Sequence, residues 1–320
     1  VAEKSRRQRV LDLLGEGSAP GYVPAAFFLH FGEGFLLGQA AIDRHLEFFR
    51  HTGMDLLKIQ YEASFPAHPE IVEPADWARL SPPGVDFYAE QLAVVEALVK
   101  AMKDQALVLL TLYSPFMLAG RCVGKQRVVE HIDADPEKTR HGLEVVTESL
   151  LGFVRECVRI GVDGFYHSTQ GGEAGRFTRP ESFLECVKPF DLEVMQEVNR
   201  LSAFNILHVC DYHLPYDDLS PFLDYPGDVV SYPLRVGGEH LSPKRAAELF
   251  GRPCMGGMDR KGTIATGTHA EIRAEAEALL AEAPDRFILG ADCTVPGETP
   301  WDNLKAAIDT AHGDMTGFRG

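Results

Sequence analysis

The 320 residues are 45% hydrophobic and 24% charged, with 30 Gly and 20 Pro, which excludes collagen-like, low-complexity and disordered chains. A balance of 31 basic against 47 acidic side chains gives a net charge of −16. Such a surface repels phosphate backbones and anionic lipid, so neither nucleic acid nor a membrane is an expected partner.

The opening Val1-Ala-Glu-Lys-Ser-Arg-Arg-Gln-Arg-Val10 has no apolar run behind its basic residues, and no stretch reaches the ~20 apolar residues of a membrane span. Six cysteines are scattered without close pairing, so a cytoplasmic chain with reduced thiols is expected. Residues 7–14 read as an amphipathic helix stopped by Gly15 and Gly17, and residues 22–29, Tyr-Val-Pro-Ala-Ala-Phe-Phe-Leu, as a buried strand. Helical spacing over 42–51 ends at Gly53; a second strand over 54–59 precedes a Pro-rich loop and a helix over 87–102. The plainest strand is 106–112, Ala-Leu-Val-Leu-Leu-Thr-Leu. A helix over 143–160, a strand over 164–168, a helix over 189–201 and a strand over 204–209 follow. Residues 229–232 and 252–255 read as strands six and seven around a helix at 244–250, and a helix over 270–281, a strand over 286–289 and a helix over 300–311 complete eight βα units.

No Pro/Ser/Gly-rich linker or run of like charge divides these units, so a single domain over residues 1–320 is expected. Apolar strands alternating with helices need a parallel sheet covered by those helices, and eight units at this length predict a closed (β/α)8 TIM barrel. An open doubly wound sheet is the alternative. It would need a Gly-x-Gly-x-x-Gly turn, whereas Gly32-Glu-Gly34 runs on through Phe35, Leu36 and Leu37 to Gly38.

In a barrel the chemistry lies at the C-terminal ends of the strands. Strand five ends in His208-Val209-Cys210-Asp211, and side-chain alternation puts His208 and Cys210 on one face. Strand eight runs into Gly290-Ala-Asp-Cys293, which brings a second thiol to the barrel mouth. One imidazole and two thiolates suit zinc with an open fourth position; the same three residues would also serve simply to finish core strands.

Other strand-end residues carry weaker signals. His167, Gln170 and Glu173 follow strand four, and Glu173 is a candidate fourth ligand or acid/base on a loop that Gly171 and Gly172 equally mark as solvated. His30 and Glu33 follow strand one, Gln60 and Glu62 strand two, and His213 is an alternative to His208. Gly256, Gly257 and Asp259 form either an anion nest or a turn. Cys122, Cys157, Cys186 and Cys254 read as packing residues.

The chain resembles the uroporphyrinogen decarboxylase superfamily of single (β/α)8 barrels. The likeness rests on Arg9-Val-Leu-Asp-Leu-Leu-Gly15 with Pro24, on Gly256-Gly-Met-Asp259, and most specifically on Phe287-Ile-Leu-Gly-Ala-Asp-Cys-Thr-Val-Pro296 with Thr299-Pro300 and Asn303. The decarboxylases of that superfamily have an Arg-Gln-Ala-Gly-Arg loop with a nearby Asp and a Gly-His-Gly. Here Leu29-His-Phe-Gly-Glu-Gly34 and Ala291-Asp-Cys293 stand instead. The corrinoid-linked thiol methyltransferases bind zinc through His-x-Cys and a distant Cys, and His208, Cys210 and Cys293 match that motif.

The resemblance thus implies a zinc-dependent methyltransferase that activates a small thiol. The donor would be a methylcorrinoid on a separate protein, since no Asp-x-His-x-x-Gly loop is found in the chain. In the site so implied, Tyr212, His167 and Glu173 are the candidate catalytic residues, and Tyr113, Tyr166 and Tyr212 would line a groove for a free small-molecule donor. Decarboxylation of a carboxylated substrate is the alternative, with Arg121, Arg176, Arg235 and Arg260 as its candidate carboxylate binders. A third possibility is a non-catalytic barrel that binds a corrinoid protein; the chain is expected to be a monomer or homodimer.

Overall fold

The structure, a computed structural model, describes residues 4–15, 21–61 and 65–313. Seven apolar segments form one parallel sheet. They are β1 (Leu56–Ile59), β2 (Leu107–Tyr113), β3 (Gly164–Thr169), β4 (Ile206–Val209) and β5 (Val229–Ser231), then β8 (Cys254–Met258) and β9 (Phe287–Ala291), hydrogen-bonded in that order. A short antiparallel hairpin of β6 (Arg235–Val236) and β7 (Glu239–His240) lies between β5 and β8. Every residue of β2 is buried, as a parallel strand covered on both faces requires.

Helices separate the strands: α1 (Arg6–Leu11), α2 (Gly38–Thr52), α3 (Ala89–Met102), α4 (Pro115–Val123), α5 (Lys125–Ala134), α6 (Pro136–Ile160), α7 (Lys188–Leu201), α8 (Pro243–Phe250), α9 (Thr263–Thr266), α10 (His269–Glu282) and α11 (Trp301–Ala311). The curled parallel sheet with its helices is a TIM-like fold. Hydrophobic periodicity does not reveal α4 and α5, and it starts α6 late. Their start signals are caps: Ser114 Oγ accepts from Met117 N at 3.3 Å ahead of Pro115, and Asp135 Oδ1 accepts from Lys138 N at 3.1 Å ahead of Pro136. Gly164, which opens β3, has no room for a side chain, since a Cβ there would lie 1.7 Å from the Phe204 carbonyl oxygen.

The structure corrects the expectation of eight regular strands. Residues 22–29 form only isolated parallel bridges, Ala25 with Leu289 and Leu29 with Val295. Toward β9, Ala26 N donates to Leu289 O at 2.9 Å and Leu289 N to Pro24 O at 2.9 Å. Toward β1 the pairing is carried mainly by side chains. Asp55 Oδ2 accepts from Ala25 N at 2.8 Å, and the Gln60 amide accepts from Phe31 N at 3.2 Å and donates to Leu29 O at 2.7 Å; the one backbone bond is Asp55 N to Ala25 O at 3.0 Å. Pro24 has no N–H to give, and the carboxylate and amide that flank β1 occupy groups a ladder would use. The opening helix ends at Leu11 and tightens into a 3-10 turn over Asp12–Leu14 before Gly15; Gly17 and Glu62 lie outside the described residues.

Candidate metal centre

Parallel register sets Ser168 beside His208 and His208 beside Ser231 across β3, β4 and β5. Cys210 follows one residue past β4, its N–H given to Thr169 O at 3.1 Å, so alternation keeps it on the face of His208. Cys293 follows β9 by two residues. The structure brings these three together: their ligand atoms lie within 4.8 Å of one another and all three residues are buried. Cys210 Sγ stands 3.9 Å from Cys293 Sγ, which is 3.4 Å from His208 Nε2.

Each group is oriented from behind. His208 Nδ1 meets Ser231 Oγ at 3.0 Å, and Ser231 Oγ meets the Tyr166 hydroxyl at 3.2 Å. In the tautomer that gives Nδ1–H to Ser231, the Nε2 lone pair faces the sulfurs, as ligation requires. Gln170 Nε2 points at Cys210 Sγ from 3.3 Å. The Cys293 thiol, which donates to Cys210, and the His208 imidazole hold the Cys210 thiol well below the usual range against the opposing effect of burial. Cys293 is correspondingly held up by its bond to Cys210 and by burial.

The cluster lines a cavity of about 190 Å³. Lys58, Arg121 and Lys125 bring positive charge to its wall, with His30, Thr111, Tyr113, Tyr166, Tyr212 and His213 among its other residues. Lys58 Nζ donates to Thr111 Oγ1 at 2.9 Å and lies over the rings of Phe28 and Tyr166. Lys125 Nζ donates to His213 Nε2 at 2.8 Å. Burial lowers the pKa of both, and the charge of Arg121 lowers Lys125 further. His213 therefore serves the basic rim and is not among the grouped ligand atoms.

Of the remaining catalytic and cofactor-binding candidates, Tyr212 alone lines this cavity. His167 alternates with Tyr166 and Ser168, so its fully buried ring is on the other face of β3; neither ring nitrogen has a hydrogen-bond partner, and burial takes its pKa down to about 3. Glu173 is tied to Arg176 through bonds of 2.5 and 3.0 Å and accepts from Gly171 N at 2.6 Å, outside the cavity. Tyr212 stands at the cavity mouth, 52% exposed. Gly256 and Gly257, at φ 148 and 102, back onto Tyr232 and Phe287, and the Asp259 carboxylate accepts from Lys261 N at 2.8 Å. The two glycines thus lie within β8, paired with Leu289 and Gly290, only Asp259 belongs to a turn, and none of the three lines the cavity. Cys254 gives its thiol to Pro243 O at 3.3 Å, and Cys122 and Cys157 are buried, all raised by desolvation.

Of the four candidate carboxylate-binding arginines only Arg121 lines the cavity. Arg176 serves Glu173, Arg235 is exposed on the hairpin, and Arg260 is held by two aspartates. Ser231 and Lys58 were not singled out by the sequence. Lys58 had a legible signal, a cation inside the apolar strand Leu-Leu-Lys-Ile; Ser231 is visible only through its register beside His208.

Comparison with known proteins bears on the fold and the family. A methyltransferase from Methanosarcina mazei shares the fold at a TM-score of 0.76 and 18% identity, over 97% of this chain and 98% of that one. A B12-independent methionine synthase from Shewanella sp. W3-18-1 does so at 0.56 and 12%, over 92% and 97%. Among curated proteins, the methylated-thiol–coenzyme M methyltransferase of Methanosarcina mazei is 22% identical over 222 residues, 68% of this chain, and the match spans 56% of that protein's length. The uroporphyrinogen decarboxylase (URO-D) family model matches residues 51–313, most of the chain and all three grouped side chains. The chain therefore belongs to the uroporphyrinogen decarboxylase family, among methyltransferase relatives.

Proposed function

We propose that the protein is a zinc-dependent methyltransferase acting on a small anionic thiol, with a methylcorrinoid on a separate protein as donor and residues 1–320 forming one (β/α)8 domain in the cytoplasm. The observation that carries this reading is the convergence of His208, Cys210 and Cys293 in the wall of a cavity. One imidazole and two sulfurs, buried and directed at a common point, fit the preference of zinc for N and S donors, and three protein ligands leave a coordination position for chemistry. Bound there, zinc would supply the Lewis acidity that makes a thiol reactive as thiolate at neutral pH.

The chain's own residues do the rest. Ser231 fixes the His208 ring, and Gln170 aims an amide at Cys210. Lys58, Arg121 and Lys125 offer positive charge to an acid group on the acceptor. The cavity of about 190 Å³ falls below the ~300–1,000 Å³ of pockets that enclose drug-sized ligands. It suits a short thiol and is too small for a tetrapyrrole, which weighs against uroporphyrinogen as substrate. The donor then meets the acceptor at the mouth, where Tyr212 is proposed to contact it. The acceptor sulfur's lone pair forms the new S–C bond, the carbon–cobalt bond breaks with its electron pair left on cobalt, and the thiol proton leaves to solvent. An archaeal relative named for transfer between a methylated thiol and coenzyme M supports an acceptor of this kind.

Freshly purified protein is expected to contain stoichiometric zinc and, given methylcobalamin and 2-sulfanylethanesulfonate, to form the methyl thioether. Wild type without zinc, or turnover unchanged in Cys210→Ser and Cys293→Ser, overturns the reading.

A further inference from the structure

Arg260 lies two residues beyond β8, 9% exposed, between the two loops that carry the candidate ligand sulfurs. Its Nη1 donates to Asp211 Oδ1 at 2.8 Å and to Asp292 Oδ2 at 2.5 Å, and its backbone N donates to Asp292 Oδ1 at 2.8 Å. Asp211 is the residue after Cys210, and Asp292 is the residue before Cys293. A further bond, Asp292 N to Met258 O at 3.0 Å, ties the same loop to the end of β8. The two loops issue from β4 and β9, which are not neighbours in the sheet: β5 and β8 stand between them. Ladder hydrogen bonds therefore do not directly fix one sulfur relative to the other.

We propose that Arg260 is a positioning residue, a guanidinium bridge through Asp211 and Asp292 that sets the spacing of the Cys210 and Cys293 sulfurs. The proposal rests on the reading of His208, Cys210 and Cys293 as a metal site and adds what holds two of those ligands in place. A guanidinium suits this because the two N–H bonds of Nη1, which serve the two aspartates, diverge in a fixed plane, whereas an ammonium is a point charge on a flexible stem. The bridge also has an electrostatic effect. Loss of the guanidinium alone would leave two negative charges beside the sulfurs and favour a divalent cation, so a fall in affinity in Arg260→Gln reports spacing and not charge. Outer groups that orient ligands typically account for 10–100-fold in metal affinity.

The experiment compares wild type with Arg260→Gln, Arg260→Lys and Asp292→Asn in the full chain. Zinc affinity is read by chelator competition, the thiolate-to-metal absorption band by Co2+ substitution, and the rate of Cys210–Cys293 disulfide formation in metal-free protein by peptide mapping. Zinc affinity is expected to fall ~10–100-fold in Arg260→Gln and less in Arg260→Lys. The Co2+ band should shift or weaken, and disulfide formation should slow, because the sulfurs no longer share a fixed spacing. Should Arg260→Gln fail to fold, Arg260→Lys and Asp292→Asn carry the comparison. Variants that fold and keep wild-type affinity, band and disulfide rate overturn the proposal. A wild type that binds no zinc overturns the metal reading instead, and the disulfide rates, which need no metal, still decide whether Arg260 sets the spacing.

Discussion

His208 and Ser231 sit beside each other in the register of β4 and β5, and the ring nitrogen that faces Ser231 Oγ at 3.0 Å is the one turned away from Cys293. A side chain with no place in the metal's own shell thus decides which imidazole nitrogen is available to it. Ser231→Ala is expected to lower zinc affinity ~10–100-fold, with the fold retained because alanine fits the space a serine leaves. Equilibrium dialysis against a zinc buffer, with circular dichroism as the fold check, measures this.

His167 offers a pH-dependent prediction with a definite sign. In the folded state burial holds its pKa at about 3, against 6.5 in the unfolded chain. The folded ring stays neutral while the unfolded one takes up a proton, so stability is lost as pH falls from about 6.5 toward 3 and is unaffected above that window. His167→Leu, which removes the titrating group, should lose ~2 kcal/mol less than wild type between pH 7 and pH 5. Urea unfolding of both proteins at the two pH values tests this. Equal losses would show that the ring is solvated. Because the ring lies across β3 from the cavity, zinc affinity should not change.

The two grouped sulfurs also predict a redox behaviour. At 3.9 Å they are close enough to bond after a small rotation, since a disulfide needs ~2.05 Å, and the shift of the Cys210 thiol below its usual range favours its reactivity. Mild oxidation of metal-free protein is expected to give a Cys210–Cys293 disulfide, and prior loading with zinc to prevent it. Mass spectrometry of non-reduced digests distinguishes this from pairs involving Cys186, the thiol that is not fully buried.

Charge in the cavity wall should be read out by the acceptor. Arg121→Gln or Lys58→Met is expected to raise KM for an anionic thiol ~10–100-fold, the loss of one charge-assisted hydrogen bond of ~1.5–3 kcal/mol, and to leave KM for an uncharged thiol of equal length nearly unchanged. Steady-state kinetics with 2-sulfanylethanesulfonate and 2-sulfanylethanol give the two values; a parallel rise in both would assign these residues to folding.

Much of this was legible in the sequence for identifiable reasons. The His-x-Cys at the end of β4 could be read because a strand's two-residue period fixes which side chains share a face, and Cys293 because β9 is apolar and ends sharply. His167 misled for the same reason: its neighbours face the cavity, and a one-residue offset sends it to the opposite side. Glu173 stood near enough in sequence, but three residues on lay Arg176, and that pairing is set by a loop whose path no periodicity encodes. Lys58, Ser231 and Arg260 act through partners 53, 23 and 49 positions away. Such contacts come into being only when the sheet curls.

The side-chain stitching of residues 22–29 to β1 has a mechanical consequence. His208 and Cys210 are mounted on β4, which has laddered neighbours on both flanks. Cys293 leaves from β9, whose only full ladder is to β8 and whose other flank borders the stitched segment. The compliant seam is thus the one between residues 22–29 and β1, while the Cys293 loop is tied to β8 and to the Cys210 loop through Arg260 and Asp292. Amide exchange should find its easiest opening along that seam and leave the spacing of the two sulfurs unchanged.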